Sequence, residues 1–262
     1  MRLTANLTML YTEVPFLERF ATAARSGFKS VEFMFPYDYA PEAIAQAAAQ
    51  AGVRIVDFNL PAGDWAAGER GIAADPARVD QFRSGVGQAL AYARALSVSH
   101  INCLAGKANP AFSLADHWQT LADNVRFAAD ALGHAGLALT VEAINHYDVP
   151  GFVVGTTRHQ LDLLTRVGRP NVYMQYDMYH AQREEGNIAS TLAEHLSRIR
   201  HIQIADNPGR HQPGTGEINF PFLFAELERL GYAGYVGCEY IPGPDTQTSL
   251  GWIDQYLRGA YC

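Results

Sequence analysis

The sequence predicts an α/β protein, a single-domain (β/α)₈ TIM barrel spanning residues 1–262, and three observations favour this fold class. Strand-like and helix-like segments alternate from one end of the chain to the other. Eight strand-helix repeats over 262 residues give about 33 residues per repeat, the length of a strand, a helix and two short loops. No linker rich in Pro, Ser or Gly divides the chain.

The eight predicted strands are apolar at most positions, as expected for strands that other layers cover on both faces. They are LTANLTML from residue 3, SVEFMF from 30, VRIVDFNL from 53, SHINCLA from 99, LALTVEAI from 137, VYMQYDM from 172, IRHIQIAD from 199 and YVGCEYI from 235. The competing fold is an open doubly wound sheet, which usually has a glycine-rich phosphate turn after its first strand. LTANLTMLYTEVP contains no such turn, so the barrel is favoured.

Between the strands, apolar residues recur at intervals of three and four, the spacing of one helix face. Three of these segments, VPFLERFATAARSG, PEAIAQAAAQAG and LADHWQTLADNVRFAADALGHAG, end in glycine before the next strand, a typical helix stop. Residues 75–96 are also predicted to be helical. Asp75 is the expected N-cap of this helix, because it directly precedes Pro76.

Composition excludes several classes of protein. Hydrophobic residues make up 48% of the chain and charged residues 18%, an ordinary globular composition. The net charge of −7 argues against a nucleic-acid partner, since phosphate backbones require a basic face. No segment has the roughly 18 uninterrupted apolar residues of a membrane span, and the N-terminus does not resemble a signal peptide. We therefore expect a cytoplasmic protein with no membrane partner; the sequence leaves a homo-oligomer open.

The three cysteines, Cys103, Cys238 and Cys262, have no CxxC spacing. Cys103 and Cys238 lie within apolar strand-like segments, where we interpret them as small buried hydrophobic residues. A disulfide framework or a structural zinc site is not expected.

Four polar residues stand out near the carboxyl ends of the last four predicted strands, where barrels of this class carry their chemistry. They are Glu142, Asp177, Gln203 and Glu239, spaced 35, 26 and 36 residues apart, about one βα unit each. This spacing predicts that the four side chains share one height and point into one cup. Burying three carboxylates together is costly unless a cation neutralises them. An all-oxygen set of this kind suits one divalent ion, Mg²⁺ or Mn²⁺.

Other polar residues are expected to bind the substrate at the same rim. His180 follows Asp177 by three residues, and the loop NLPAGDWAAGERG supplies Trp65 and Arg70 as a lid. Arg210 follows the seventh strand, and Lys107 follows the fourth. His201 shares the strand side of Gln203 by alternation, but it is interpreted as structural because it would lie lower in the barrel.

At these residues the sequence resembles the hydroxypyruvate isomerase family, within the xylose-isomerase-like barrels. The resemblance extends over nearly the whole chain. It includes NLTMLYTEVPFLERF, GFKSVEFMFPY, PAGDWAAGERG, VEAIN, YDMYHAQREEGNI, HIQIADNPGRHQPGTGEINFPFLF and GYVGCEYIPG. One departure concerns the segment after GCEY. Family members often have a Tyr-Lys-Pro-Arg run there, whereas this chain has Tyr240-Ile241-Pro242-Gly243.

The resemblance implies that Glu142 and Glu239 are the catalytic pair and share a metal with Asp177 and Gln203. It also implies a reaction, the interconversion of the small hydroxy-keto acid hydroxypyruvate and tartronate semialdehyde through an enediolate. Related ketose epimerases have His at the position of Gln203, so the epimerase branch fits less well. The alternatives are an isomerase of a C4 acid (a 2-oxo-tetronate), a ketose or sugar-phosphate epimerase, a zinc-dependent DNA-repair endonuclease and a non-catalytic metal-binding barrel.

Overall fold

The computed structural model describes residues 1–257, so Cys262 lies outside the described part of the chain. All eight predicted strands are present and pair in parallel. They are β1 (Arg2–Asn6), β2 (Ser30–Glu32), β3 (Arg54–Ile55), β4 (His100–Cys103), β5 (Ala138–Glu142), β6 (Val172–Asp177), β7 (Ile199–Ile204) and β8 (Tyr235–Cys238). Their spatial order is β3-β2-β1-β8-β7-β6-β5-β4, so neighbours in sequence are also neighbours in space.

The barrel closes between β3 and β4 just beyond the short strand β3. The backbone N–H of Asn102 donates to the carbonyl of Phe58 (2.9 Å), and the N–H of Leu60 donates to the carbonyl of Asn102 (2.8 Å). Asn59 and Asn102 form a parallel bridge at this point. The two edges of the eight-stranded sheet are therefore joined, and the predicted (β/α)₈ barrel is confirmed.

The helices surround the strands. They are α1 (Phe16–Arg25), α2 (Pro41–Ala51), α3 (Val79–Leu96), α4 (Leu114–His134), α5 (Thr157–Val167), α6 (Met178–Glu184), α7 (Ile188–His195), α8 (Phe220–Arg229), α9 (Thr246–Ser249) and α10 (Gly251–Leu257). The four helices expected from periodicity are present. The β6–β7 connection holds two helices, a division that the sequence pattern does not predict.

Helix ends follow local chemistry. The side chain of Asp75 accepts from the backbone N–H of Ala77, as expected of an N-cap, but it caps a 3₁₀ turn (Pro76–Arg78) that leads into α3. Ser113 and Asp116 form a capping box at the start of α4, which satisfies two backbone N–H groups reciprocally. Gly52 ends α2 with φ 67°, a left-handed conformation that glycine adopts without a Cβ clash.

The apolar core lies between the strands and the helices. Phe20 of α1 packs edge-on against Phe33, which stacks on Phe58. Cys103 and Cys238 are free and buried, which confirms their interpretation as small core residues. Among residues 1–257, no helix combines the length and the apolar character required to cross a membrane. The strands' inner faces, by contrast, are strongly polar, and this polar interior carries the candidate site.

Candidate active site

The predicted carboxylate set does converge at one end of the barrel, but not in one row. Asp177 lies opposite Gln203, as expected, whereas Glu142 pairs with Gln175. Gln203 in turn pairs with Gly237 rather than with Glu239. The four residues are therefore offset by up to two residues in register between neighbouring strands, and their common height stays a prediction. Strands of a closed barrel are staggered along their hydrogen-bond register, and spacing in the sequence does not reveal that shear.

Glu142 and Asp177 lie side by side at the ends of β5 and β6. Both are buried, and their ligand atoms lie within 4.8 Å of each other and of a nitrogen of His180. Burial, reinforced by the charge of Asp177, raises the pKa of Glu142 to about 8. Burial also raises the pKa of Asp177, although Arg210 opposes this shift. The two carboxylates repel each other when both are ionised. A positive charge beside them would therefore stabilise the ionised pair.

Arg210 supplies positive charge between Asp177 and Glu239. Its Nη2 atom lies 2.6 Å from Oε1 of Glu239 and 3.4 Å from Oδ2 of Asp177. Arg210 has a left-handed backbone (φ 57°) in the loop after β7, a rare conformation for a residue other than glycine. Burial alone would lower the pKa of this guanidinium, but Glu239, Asp177 and Glu142 raise it. Arg210, predicted to bind the substrate, is thus held by the two buried carboxylates Asp177 and Glu239.

Glu239 follows β8 directly and is held by two amides as well as by Arg210. Nε2 of Gln203 donates to its Oε2 at 2.5 Å, and Nδ2 of Asn6 donates to the same oxygen at 2.7 Å. Burial raises the pKa of Glu239 well above its ordinary value despite the opposing charge of Arg210. The Oε1 atom of Gln203 accepts from Nε2 of Gln175 (2.9 Å), and an amide oxygen keeps a second lone pair for a cation.

His180 is oriented by hydrogen bonds to its Nδ1 atom. Both the backbone N–H and the Nδ2 of Asn145 donate to that nitrogen, at 3.4 and 2.6 Å. Burial, and then the charges of Arg210 and Arg183, lower the pKa of His180 well below its ordinary value, so the ring is neutral. A neutral imidazole that accepts at Nδ1 carries its proton on Nε2. That atom lies 3.7 Å from Oδ2 of Asp177, where it can donate a hydrogen bond.

A small cavity of about 80 Å³ opens among these groups. The predicted site residues that line it are Glu142, His180, Arg210, Glu239, Trp65 and Arg70. The guanidinium of Arg70 lies over the Trp65 ring, 4.1 Å from its centroid, and both come from the predicted lid loop. Lys107 is not brought to this cavity. It is exposed, and its backbone forms an antiparallel bridge with Phe152.

Sequence reasoning missed several polar residues inside the barrel. Asn102 and Gln175 both direct an amide nitrogen at Oε2 of Glu142, at 2.9 and 3.3 Å. Glu32 accepts from His201 at 2.8 Å, deep in the barrel, which agrees with the structural interpretation of His201. The signal that could have found them is strand alternation, because Gln175 lies two residues before Asp177 and so shares its inward side.

The donor set fits a divalent cation. Glu142 and Asp177 are buried carboxylates whose ligand atoms lie within 4.8 Å of each other and of a nitrogen of His180, and Arg210 bridges Asp177 to the buried Glu239. Hard oxygen donors of this kind suit a cation that prefers oxygen ligands. Glu142, Asp177 and His180 are the buried groups that the structure brings close enough together to hold it, and Glu239 and Gln203 stay predicted ligands.

Comparisons with known proteins agree with this geometry. A family profile described as xylose isomerase-like TIM barrel matches residues 20–256. The hydroxypyruvate isomerase of Escherichia coli (strain K12) is 49% identical over 256 residues, which cover 98% of this chain and 99% of that protein. The chain belongs to the hydroxypyruvate isomerase family of xylose isomerase-like TIM barrels. The resemblance inferred from its motifs is therefore confirmed.

One further relative and two solved structures are also similar to this chain. The 2-oxo-tetronate isomerase of Pectobacterium atrosepticum is 41% identical, with 98% of each chain covered. A Brucella melitensis structure described as AP endonuclease, family 2, superposes with a TM-score of 0.94 at 42% identity, covering 97% of this chain and 98% of that one. A structure of L-ribulose 3-epimerase has a TM-score of 0.77 at 21% identity, which shows the shared fold alone. It covers 100% of this chain and 89% of that one.

Proposed function

We propose that this protein is an isomerase that interconverts hydroxypyruvate and tartronate semialdehyde (2-hydroxy-3-oxopropanoate) and binds one Mg²⁺ or Mn²⁺ ion. The observation that carries the proposal is that Glu142 and Glu239 both line one small cavity, together with His180 and Arg210. The relative from Escherichia coli named hydroxypyruvate isomerase supports the choice of substrate.

The reaction moves a carbonyl to the neighbouring carbon, so the hydroxyl proton must pass from one oxygen to the other, and a carbon-bound proton must leave one carbon and be replaced on the next. Glu142 and Glu239 are proposed to carry the carbon-bound proton, one as base and one as acid, with the direction unassigned. Burial raises the pKa of Glu142 to about 8 and also raises that of Glu239, and a carboxyl group with a pKa near neutrality, as at Glu142, exchanges protons effectively in both directions. When bound, a divalent cation supplies Lewis-acid stabilisation of negative charge on the substrate oxygens.

The remaining residues are proposed to orient the substrate. The Nε2–H of His180 can donate to a substrate oxygen, because its Nδ1 is already occupied by Asn145. Arg210 and Arg70 face the cavity as positive groups for the substrate carboxylate. This assignment would replace the basic residues that other family members have after GCEY, where this chain has Ile241, an exposed side chain. Lys107 is left without a role, since the structure places it away from the cavity.

Cavity size favours a short substrate. At about 80 Å³, the space is far below the roughly 300–1,000 Å³ of pockets that enclose drug-sized ligands. A C3 acid therefore fits this proposal better than a longer sugar. The second candidate is an isomerase of a C4 acid, which the relatives named 2-oxo-tetronate isomerase favour at 38–41% identity. A zinc endonuclease fits less well, because His180 is the one histidine among the described residues that line the cavity.

We expect the metal-loaded protein to convert hydroxypyruvate with a kcat/KM at least about tenfold above that for a C4 2-oxo-tetronate. One missing or extra carbon in a fitted pocket typically changes kcat/KM by about 10–200-fold. The measurement compares initial rates on both acids and on a neutral ketose, with chelator-treated protein as the control. A preference for the C4 acid would transfer the assignment to the second candidate. A preference for the ketose would contradict the proposed acid substrate.

Three further expectations stay predictions. They are that residues 1–262 form a single domain, that the protein is cytoplasmic, and that its partner is a small hydroxy-keto acid rather than nucleic acid. The oligomeric state stays open.

A further inference from the structure

Glu32 is a buried carboxylate that the proposed mechanism does not use. It ends β2, is 2% exposed, and lies deeper in the barrel than the cavity. Both of its oxygens contact hydrogen-bond donors. Oε2 is 2.8 Å from Nε2 of His201, while Oε1 accepts from Gln203 at 2.9 Å and from Asn6 at 3.3 Å. These three hydrogen-bond contacts hold the carboxylate of Glu32 in one position inside the barrel.

A glycine in strand β8 leaves room for the carboxylate of Glu32. Gly237 lies in the middle of β8, two residues before Glu239, and its backbone conformation is not left-handed. A Cβ atom at this position would overlap both carboxylate oxygens of Glu32. Glycine inside a strand often marks such a close approach. The barrel therefore accommodates Glu32 at the position from which it reaches Gln203 and Asn6.

Glu32, together with Glu239, determines the direction of a chain of amide hydrogen bonds. A carboxylate accepts, so the NH₂ group of Gln203 must face Glu32, and its carbonyl oxygen must face the other way. That oxygen accepts from the NH₂ group of Gln175, which also donates to Oε2 of Glu142 (3.3 Å). The oxygen of Gln175 accepts from Thr140 Oγ1 at 3.3 Å. Reversing any amide in this chain would bring oxygen against oxygen.

The carboxylate of Glu32 also shares two hydrogen-bond donors with Glu239. The nitrogens of Gln203 and Asn6 that bind Glu32 are the nitrogens that bind Oε2 of Glu239, at 2.5 and 2.7 Å. Both proposed catalytic carboxylates thus accept from amide groups that belong to one hydrogen-bonded network with Glu32. We propose that Glu32 is a positioning residue for Glu142 and Glu239, an inference that rests on the proposed function of that pair.

A purely structural role makes a different prediction. Removing the acceptor leaves the buried donors of His201, Gln203 and Asn6 unpaired, so stability falls whether or not Glu32 positions the proposed pair, and only kcat and geometry distinguish the two roles. Glu32→Met removes the acceptor, and Glu32→Gln keeps the shape but can present either an oxygen or an NH₂ group to Gln203. Asp57 offers a matched control. It is also buried in the barrel beside a histidine, His100 at 3.8 Å, but it has no hydrogen bond to the amide chain.

We expect Glu32→Met to lower kcat about tenfold or more, because displacements near 1 Å can cost up to about 100-fold. KM should change less than about threefold, with both constants measured well below the melting temperature of the variant, where it is folded. Asp57→Asn should keep kcat within about twofold of the wild type. Equal kcat losses in folded Glu32→Met and folded Asp57→Asn would overturn the proposal. Unchanged kcat in both Glu32 variants would do the same.

A crystal structure of Glu32→Met provides a readout that does not depend on activity. We expect the carboxylate of Glu239 or the amide of Gln203 to move by more than about 0.5 Å, the tolerance within which working sites are held. Side chains of Glu239, Gln203 and Gln175 that superpose on the wild type would overturn the proposal. A wild type inactive on every acid tested would instead refute the proposed function, and the crystal structure would still decide the role of Glu32.

Discussion

Glu239→Gln is expected to lower kcat by at least about 100-fold, or about 2.7 kcal/mol of transition-state stabilisation, and to leave the fold intact. The amide keeps the size of the carboxylate and one oxygen for the donors Gln203 and Asn6, which lie 2.5 and 2.7 Å from Oε2. It cannot accept and return a proton at the substrate carbon. The measurement is the steady-state rate on hydroxypyruvate at saturating metal, with circular dichroism to verify folding.

The matched control for this variant is Glu194→Gln. Glu194 lies on α7, and its side chain is 75% exposed, so the same chemical change there should leave kcat within about twofold. Near-normal turnover in Glu239→Gln would remove Glu239 from the mechanism. A loss of folded signal would instead mean that the charge contact with Arg210, at 2.6 Å, holds the loop after β7 in place.

Removal of the divalent cation is expected to reduce turnover by at least about 100-fold, because Lewis-acid stabilisation is worth several kcal/mol. Readdition of Mg²⁺ or Mn²⁺ should restore the wild type but not Asp177→Asn. The substitution should not unfold α6, since the side chain of Asp177 caps that helix and asparagine caps equally well. The measurement is a titration of chelator-treated protein with metal, following the rate on hydroxypyruvate.

Asp162→Asn is the matched control for the metal experiment. Asp162 lies exposed on α5, away from the residues of the cavity, so metal should restore this variant to the wild-type rate. Full activity in the presence of excess chelator would contradict a metal-dependent mechanism. Restoration of Asp177→Asn at the wild-type metal concentration would remove Asp177 from the proposed ligands.

The barrel could be predicted from the sequence because its strands are short, apolar and regularly spaced between periodic helices. Glu142, Asp177 and Glu239 could be found for the same reason, since a carboxylate at the end of a buried strand has no place in an apolar core. The register of the strands that carry them could not be predicted. The pairing of Glu142 with Gln175 depends on the stagger of a closed sheet, which involves strands far apart in sequence.

The polar interior was the larger omission. Asn6, Glu32 and Gln175 lie within strands that read as apolar, and each is matched by partners on other strands rather than by a local pattern. The contacts of Arg210 were missed for a related reason. Its guanidinium reaches Asp177 and Glu239 because the backbone of Arg210 is left-handed. The sequence NPGRHQPG does not predict that conformation. From the sequence, Arg210 is predicted to bind the substrate only because it follows the seventh strand.

Anomalous diffraction from crystals grown with Mn²⁺ tests the central claim most directly, because it locates the cation without reference to activity. We predict one strong peak at the carboxyl end of the barrel, bound by Glu142, Asp177 and Glu239, with the amide oxygen of Gln203 completing the protein ligands. Arg210 would then give up one of its two carboxylate contacts. A peak held by other residues, or no peak at saturating Mn²⁺, would contradict the account.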